Sequence, residues 1–364
     1  MSNEELKNNS IETISFNLIE QMNQDHHAAS EIYHASKFWE KLNQLNVEWL
    51  KKDGLENFKR TVNNNYFNWM VTTKSVYFRN VAQFYFHNIA RHPDKLLKLF
   101  TSNVGEMFHR TYVSTNTKVS YVQRKVYALY LLFLYEYVRA QDKFGIFEKL
   151  EEPNIGNPIF IEINGKHISQ DISNSYMEYS YIRSSLGNSF SDVKTIAEIG
   201  GGYGRLSYLF HLLHQNEGVK IVLIDLPPAL YVAHWYLHEV FPEAKIMDYR
   251  NFTHFSEVEQ EFNESSICFL LPHQIELLPK GTLDLLINVS SLQEMSREQI
   301  NYYYELVNEK AKYFYTKQWV LWENSEDKMT VPAIIYPTKP TWEVVAARLN
   351  PVHTEFFEAI FKIK

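Results

Sequence analysis

The chain holds a single cysteine, Cys268, among its 364 residues, so no internal disulfide can form. Its place within the apolar run 267–271 reads as a buried strand position, and the lone thiol fits a reducing compartment, the cytoplasm. Positive charge is in deficit: 36 Lys and Arg stand against 43 Asp and Glu, a formal net charge of -7. A nucleic acid backbone needs a basic face, so no nucleic acid partner is expected. Long apolar runs are missing too. The longest, 126–138, is interrupted by Glu136 and flanked by Arg124, Lys125 and Arg139. A membrane helix needs ~18–20 uninterrupted residues, so this run reads as a buried helix and no membrane span is expected. Residues 1–10 are polar and acidic and lack the apolar core of a signal peptide.

What is present is apolar and aromatic. Hydrophobic residues make up 45% and aromatic residues 15%, enough to build a sizeable core in a chain long enough for two domains. From residue 11 to about 150 glycine and proline are scarce, and apolar residues recur at helical steps: Trp39, Leu42, Leu45 and Trp49, then Phe78, Ala82, Tyr85 and Ile89. Further helices are expected at 94–100 and 121–141, with a polar loop around a short helix at 101–117 between them. Residues 1–150 are therefore expected to form an all-helical domain.

A hinge follows at 151–192. It opens as a loop, then reads as a hairpin over 159–169 turning on Asn164-Gly165, the residue pair that a type I′ turn selects, and then as a helix over 171–186. From 193 to 364 strands alternate with helices. Strands are expected at 195–199, 221–225, 267–271, 283–289 and 313–322, with a last one at 354–361. Helices are expected at 203–214, 228–240 and 298–310. This is the pattern of an α/β, Rossmann-like parallel sheet covered on both faces.

The most telling stretch is Glu198-Ile199-Gly200-Gly201-Gly202-Tyr203-Gly204-Arg205, which links the first strand to its helix. About twenty residues on, the second strand ends in Asp225, the spacing of a nucleoside site in a doubly wound sheet. The glycines let backbone approach a ligand, and Asp225 is placed to accept both ribose hydroxyls. A dinucleotide site wants G-x-G-x-x-G, but Arg205 stands where its last glycine belongs. That argues against an NAD-dependent oxidoreductase. Glu198, two residues ahead of the first glycine, instead completes a pattern that binds S-adenosyl-L-methionine, with the acid toward the methionine ammonium. The alternative is a tight strand-to-helix turn without a ligand.

Ligands in such sheets sit beyond the carboxyl ends of the strands, which selects the remaining candidates. For the cofactor these are Glu198, Gly200, Gly202, Tyr203, Asp225, Leu226 beside the adenine, Gln274 and Asn288. Methyl transfer to a hydroxyl requires alignment and removal of a proton. Glu294, past the fourth strand, is the candidate base, and it also reads as a carboxylate at a helix N-terminus. His273 reads as a stacking or amide-side contact near the adenine and as a second candidate base. The 14 histidines show no H-E-x-x-H, and no acid-rich D-x-D occurs, so no metal ligand is assigned. His26-His27 reads as a solvated pair. Tyr302–Tyr304 and Tyr313–Tyr315 read as core that contains some sugar-stacking faces.

Three further segments follow the glycine turn in order: Ile224-Asp225-Leu226-Pro227, Leu271-Pro272-His273-Gln274-Ile275, and 284–295, which ends Ser291-Leu292-Gln293-Glu294-Met295. Together they resemble the sugar O-methyltransferases of bacterial surface-polysaccharide gene clusters. These are class I S-adenosylmethionine-dependent enzymes, and the likeness covers roughly residues 150–325. The resemblance implies methylation of a sugar or glycan-intermediate hydroxyl. A small non-sugar acceptor, or a non-catalytic cofactor-binding subunit of a glycan assembly complex, stays open. So does a homo-oligomer.

Overall fold

The computed structural model describes residues 17–62, 71–91, 120–324 and 328–364. They divide into two compact units. One, the helical unit, comprises Gln44–Phe190 and Ala346–Glu358; the other, the sheet unit, takes residues 17–43, Ser191–Val345 and Ala359–Lys364. Residues 17–43 thus group with the sheet, whereas helical spacing alone assigns everything before 150 to one domain. The expected helix at 94–100 and loop at 101–117 lie outside the described residues.

The first helices are α1 (Lys37–Asp53), α2 (Val76–Arg91) and α3 (Tyr121–Gln141). Ser120 starts α3 with a reciprocal cap: its Oγ accepts from the Gln123 amide at 3.2 Å, and the Gln123 side chain accepts from the Ser120 amide at 2.9 Å. Tyr127, Ala128 and the run 130–135 are all buried, so α3 is the central helix of its unit and apolar around most of its circumference. No helix among the described residues is long and apolar enough to cross a membrane. The hairpin joins β1 (Phe160–Ile163) to β2 (Lys166–Ser169), and Asn164 and Gly165 have φ of +53° and +75°, the signs a type I′ turn requires. Helix α4 (Gln170–Leu186) follows, capped by Ser169.

In the sheet unit the chain runs through β3 (Thr195–Ile199), α5 (Arg205–His214), β4 (Lys220–Ile224), α6 (Pro227–Val240), β5 (Ile246–Met247), α7 (Glu259–Glu264), β6 (Ile267–Leu270) and β7 (Leu283–Val289). It continues through α8 (Arg297–Lys310), β8 (Ala311–Trp319), β9 (Leu321–Asn324) and β10 (Met329–Pro332); β11 (Glu343–Leu349) and β12 (Phe356–Lys362) follow, each with residues in both units. The large sheet has the order β11-β12-β8-β7-β3-β4-β6-β5. Central β3 runs parallel to β4 and β7, and the parallel pairing extends to β6, β5 and β8. Every residue of β6 is buried, and only the first residue of β3 and of β4 is not, the signature of strands covered on both faces. This is a Rossmann-like α/β fold. Its chain direction reverses beside β3, between β4 on one side and β7 on the other, and that crevice is where such sheets take ligands.

Three elements depart from expectation for local reasons. Helix α5 starts at Arg205 rather than 203, because Gly204 has φ +84° and cannot join a right-handed helix. The strand expected over 313–322 is two: β8 stops at Trp319, and β9 pairs with β10 in a separate hairpin. Strand β11 was not legible, since its residues are exposed or half-buried and show no alternation.

Candidate active site

The turn after β3 is held from both sides. Gly200 donates its amide to the Ile224 carbonyl at 2.8 Å, and Gly202 donates to Asp225 Oδ2 at 2.7 Å. Asp225 Oδ1 accepts from the Leu226 amide at 2.7 Å, so the carboxylate that ends β4 braces the glycine turn and the start of α6 together. Two glycines do different work. A Cβ at Gly200 would lie 2.2 Å from Ser291 Oγ, so that position is closed by the loop after β7. A Cβ at Gly202 would meet no heavy atom within 4 Å, and φ there is +60°. The chain leaves open space in front of Gly202, beside Asp225.

Glu198 is buried in β3, and its Oε2 accepts from the Ser207 hydroxyl at 2.6 Å and the Ser207 amide at 3.2 Å. It ties the strand to the first turns of α5 directly beneath Gly201. Tyr203 is also buried, edge-on to Tyr236 of α6 at 5.2 Å. Leu226 is half-buried at the start of α6.

The loop after β7 is organised by Asn288. Its Nδ2 donates to the Ile199 carbonyl at 2.9 Å and to Ser291 Oγ, while its Oδ1 accepts from the Leu292 amide and from Gln318 Nε2. One buried amide thereby joins β3, β7 and β8 at their carboxyl ends. Ser290 sits at φ +60°, an uncommon conformation for a residue with a side chain, and its amide donates to the Lys317 carbonyl. The strained turn delivers Glu294 into a buried position where Oε2 accepts from Trp39 Nε1 at 2.8 Å.

Electrostatics single out two of these acids. Burial pushes the Glu294 carboxyl up to about 8, opposed by the Trp39 hydrogen bond and reinforced by the charge of Asp225. Burial likewise raises Asp225 to about 7 against the two amides it accepts from. Neither carboxylate pairs with a cation among the described residues. The loops after β4 and β7 thus place two desolvated acids close enough to feel each other.

The loop after β6 behaves differently. Gln274 is fully buried: Oε1 accepts from the Leu271 amide at 2.8 Å and Nε2 donates to the Arg250 carbonyl at 2.9 Å. Both ends of its amide hold the backbone of the loop. His273 is half-buried with no partner at Nδ1, and its ring stands edge-on to Tyr33 with centroids 6.4 Å apart. Burial holds it below the usual imidazole range.

Sequence reasoning missed the segment 17–43. It lines the same ends of the sheet: Trp39 reaches Glu294, Tyr33 donates to Glu276, and Asp25 accepts from Tyr249 at 2.7 Å and Asn251 at 3.0 Å. Gln299 of α8 donates to the carbonyls of Ile32 and His34. The solvated reading of His26-His27 holds for His27 but not for His26. His26 is buried with neither ring nitrogen hydrogen-bonded, and burial together with the neighbouring imidazoles lowers it to about 4. Tyr303, Tyr304, Tyr313, Phe314 and Tyr315 are core, leaving Tyr302 half-buried and hydrogen-bonded by Tyr33. No signal short of the fold pairs residue 39 with residue 294. A second missed feature was legible: His234 and His238, one helical turn apart, meet Asp248.

No family model matches the chain, and no curated protein matches it. Solved structures do. A PH0226 protein from Pyrococcus horikoshii OT3 is 12% identical over 51% of this chain and 91% of its own, with a TM-score of 0.34. The magnesium protoporphyrin IX methyltransferase of Synechocystis PCC 6803, solved with bound SAM, is 11% identical over 54% of this chain and 83% of its own, at 0.34. The 1,6-didemethyltoxoflavin-N1-methyltransferase of Burkholderia thailandensis, solved with S-adenosylhomocysteine, is 12% identical over 52% and 78%, at 0.33. Likeness at this level carries no residue-by-residue inference. The fold stands on the strand order and parallel register of the chain itself.

Proposed function

We propose that the chain is an S-adenosylmethionine-dependent O-methyltransferase whose acceptor is a sugar hydroxyl. The observation that carries the reading is the open space at Gly202 beside a carboxylate that is desolvated and meets no cation among the described residues. Asp225 uses one hydrogen bond on each oxygen, and a carboxylate oxygen accepts two, so both retain capacity for a ribose diol. Glu198, Gly200, Gly202, Tyr203 and Leu226 line or support the same turn, with Asn288 holding the opposite wall. When bound, the cofactor supplies an electrophilic methyl group. Glu294 takes the proton of the acceptor hydroxyl, and its raised pKa makes it a stronger base than an exposed carboxylate. Trp39 fixes its orientation by donating to Oε2. The Rossmann-like sheet and the order of the Asp225-Leu226-Pro227 and Gln293-Glu294-Met295 segments support a sugar acceptor through the family they resemble. The cytoplasm is the proposed compartment.

Calorimetry with S-adenosylhomocysteine and with NAD tests the cofactor. The first should bind and the second should not. Asp225→Ala removes charge-assisted contacts worth roughly 1.5–3 kcal/mol each, so affinity should fall at least tenfold while folding persists. Tight NAD binding, or an unaffected variant, defeats the reading. Mass spectrometry of nucleotide sugars and lysate glycans incubated with cofactor tests the acceptor: a gain of one methylene on a sugar supports it, and a gain only on non-sugar molecules refutes it.

A further inference from the structure

Helix α6 carries His234 and His238 at i and i+4, which places both rings on one face. Asp248 follows directly on the edge strand β5. The two Nε2 atoms lie 2.9 and 2.8 Å from the same oxygen, Asp248 Oδ1, and the ring centroids are 4.6 Å apart. One donor atom from each of the three residues falls within 4.8 Å of the others. The ring of His234 also rests on Phe269 of β6 at 5.1 Å, which limits how it can turn.

This cluster stands apart from the site at the carboxyl ends. Met247 is in register with Cys268, so Asp248 lies beside the middle of β6, while His273 and Gln274 come after that strand's end. His234 is seven residues into α6, about 10 Å along the axis from the turn that holds Asp225.

Two imidazoles donating to one carboxylate oxygen bring three metal-ligating atoms together from a helix and a strand end. A single ion can take the place of the two N–H hydrogens without moving either element far. We propose that His234, His238 and Asp248 form a binding site for a borderline transition-metal dication of the zinc type. Two imidazoles and one carboxylate suit Zn²⁺, Ni²⁺ or Cu²⁺ and suit the hard, oxygen-seeking Mg²⁺ and Ca²⁺ poorly. Asp248 is exposed and His238 half-buried, so water can reach the site and complete the coordination. The ion fastens α6 to the outer edge of the sheet, and since it binds only where the three ligands are assembled it stabilises the folded unit.

The test uses the full chain without a polyhistidine tag, stripped with a chelator and titrated with Zn²⁺ against a chromophoric competitor. One equivalent should bind, with Mg²⁺ unable to displace it. His238→Ala and Asp248→Asn, at half-buried and exposed positions, should each weaken Zn²⁺ at least tenfold. Cobalt substitution gives an independent readout: the visible bands of a low-coordinate Co²⁺ site should appear with the wild type and vanish in both variants. The thermal midpoint should rise with Zn²⁺ in the wild type alone. Zn²⁺ affinity equal to that of the triple variant His234→Ala, His238→Ala, Asp248→Asn overturns the proposal, as does Mg²⁺ competing on equal terms.

Discussion

Both units bury acids, and they treat them in opposite ways. In the helical unit Glu152 is buried against the Lys59 ammonium, and its second oxygen accepts from the Ser169 hydroxyl at 2.6 Å. Asp142 accepts from the amides of Phe144, Gly145 and Phe147 and from the Tyr176 hydroxyl, which hold it below the usual carboxylate range despite the cost of its partial burial. In the sheet unit Asp225 and Glu294 are desolvated and close enough to repel, and burial outweighs the hydrogen bonds that reach them from the described residues. Folding alone does not call for such a pair, because a buried carboxylate without compensation is destabilising. The contrast separates acids whose charge the fold stabilises from acids whose charge it penalises, and the second kind is the kind the proposed function uses.

Breaking the structural acid should have the largest effect. Glu152→Gln removes the carboxylate that faces the buried Lys59 ammonium, and loss of one partner of a buried pair costs about 3–5 kcal/mol. Urea denaturation should show that loss, while the turnover of whatever remains folded stays near wild type. Should the variant melt like the wild type, the pair is not structural and the contrast fails.

Glu294→Gln should do the reverse. It keeps size and hydrogen bonding to Trp39 but takes no proton at neutral pH, so kcat should fall at least about a hundredfold with cofactor affinity nearly unchanged. His273→Gln should weaken cofactor binding more than turnover. The opposite pattern in the two variants makes His273 the base. If neither slows turnover, the base lies elsewhere.

The glycines sharpen the comparison at smaller scale. Gly200→Ala forces a Cβ into Ser291 and should lower stability with or without ligand. Gly202→Ala meets no protein atom, so its stability cost is the left-handed backbone alone, about 1–2 kcal/mol, yet it should lose cofactor affinity. Equal behaviour of the two by calorimetry and thermal melting would mean that the space at Gly202 is not a ligand's.

The last test of the comparison is pH dependence. A carboxyl raised on folding from its ordinary 4.5 to about 8 binds more protons in the folded state. Its contribution to stability is therefore present at low pH and lost as pH climbs from 4.5 through 8. Glu294→Gln has no such loss, so its stability relative to wild type should improve as pH rises from 5 to 8, by up to about 1.4 kcal/mol per pH unit. A constant difference across that range would show an ordinary, unshifted Glu294.

Much of the frame was readable in one dimension because it depends on neighbours along the chain. The apolar runs 195–199 and 283–289 form strands wherever a sheet will bury them, and Asn164-Gly165 turns because only certain residues tolerate positive φ. The three glycines at 200, 202 and 204 announce the same requirement. The ends of strands were readable as well, so Asp225 and Glu294 could be nominated before any coordinates. Less readable was what each polar group does once packed. Gln274 and Asn288 sit at the strand ends where ligand contacts are expected, and their amides also tie the loops there to their neighbours.

The sequence by itself determined the secondary structure around the glycine turn, the parallel sheet and the positions of the acids that follow its strands. Those features follow from backbone conformation and from hydrophobic pattern, both local properties. Only the tertiary structure decided that Trp39 meets Glu294 across 255 residues, that His26 is buried while His27 is not, and that two histidines of one helix share an oxygen of Asp248. Burial, desolvation and the convergence of side chains depend on which surfaces are brought together. Spacing along a chain does not contain that information.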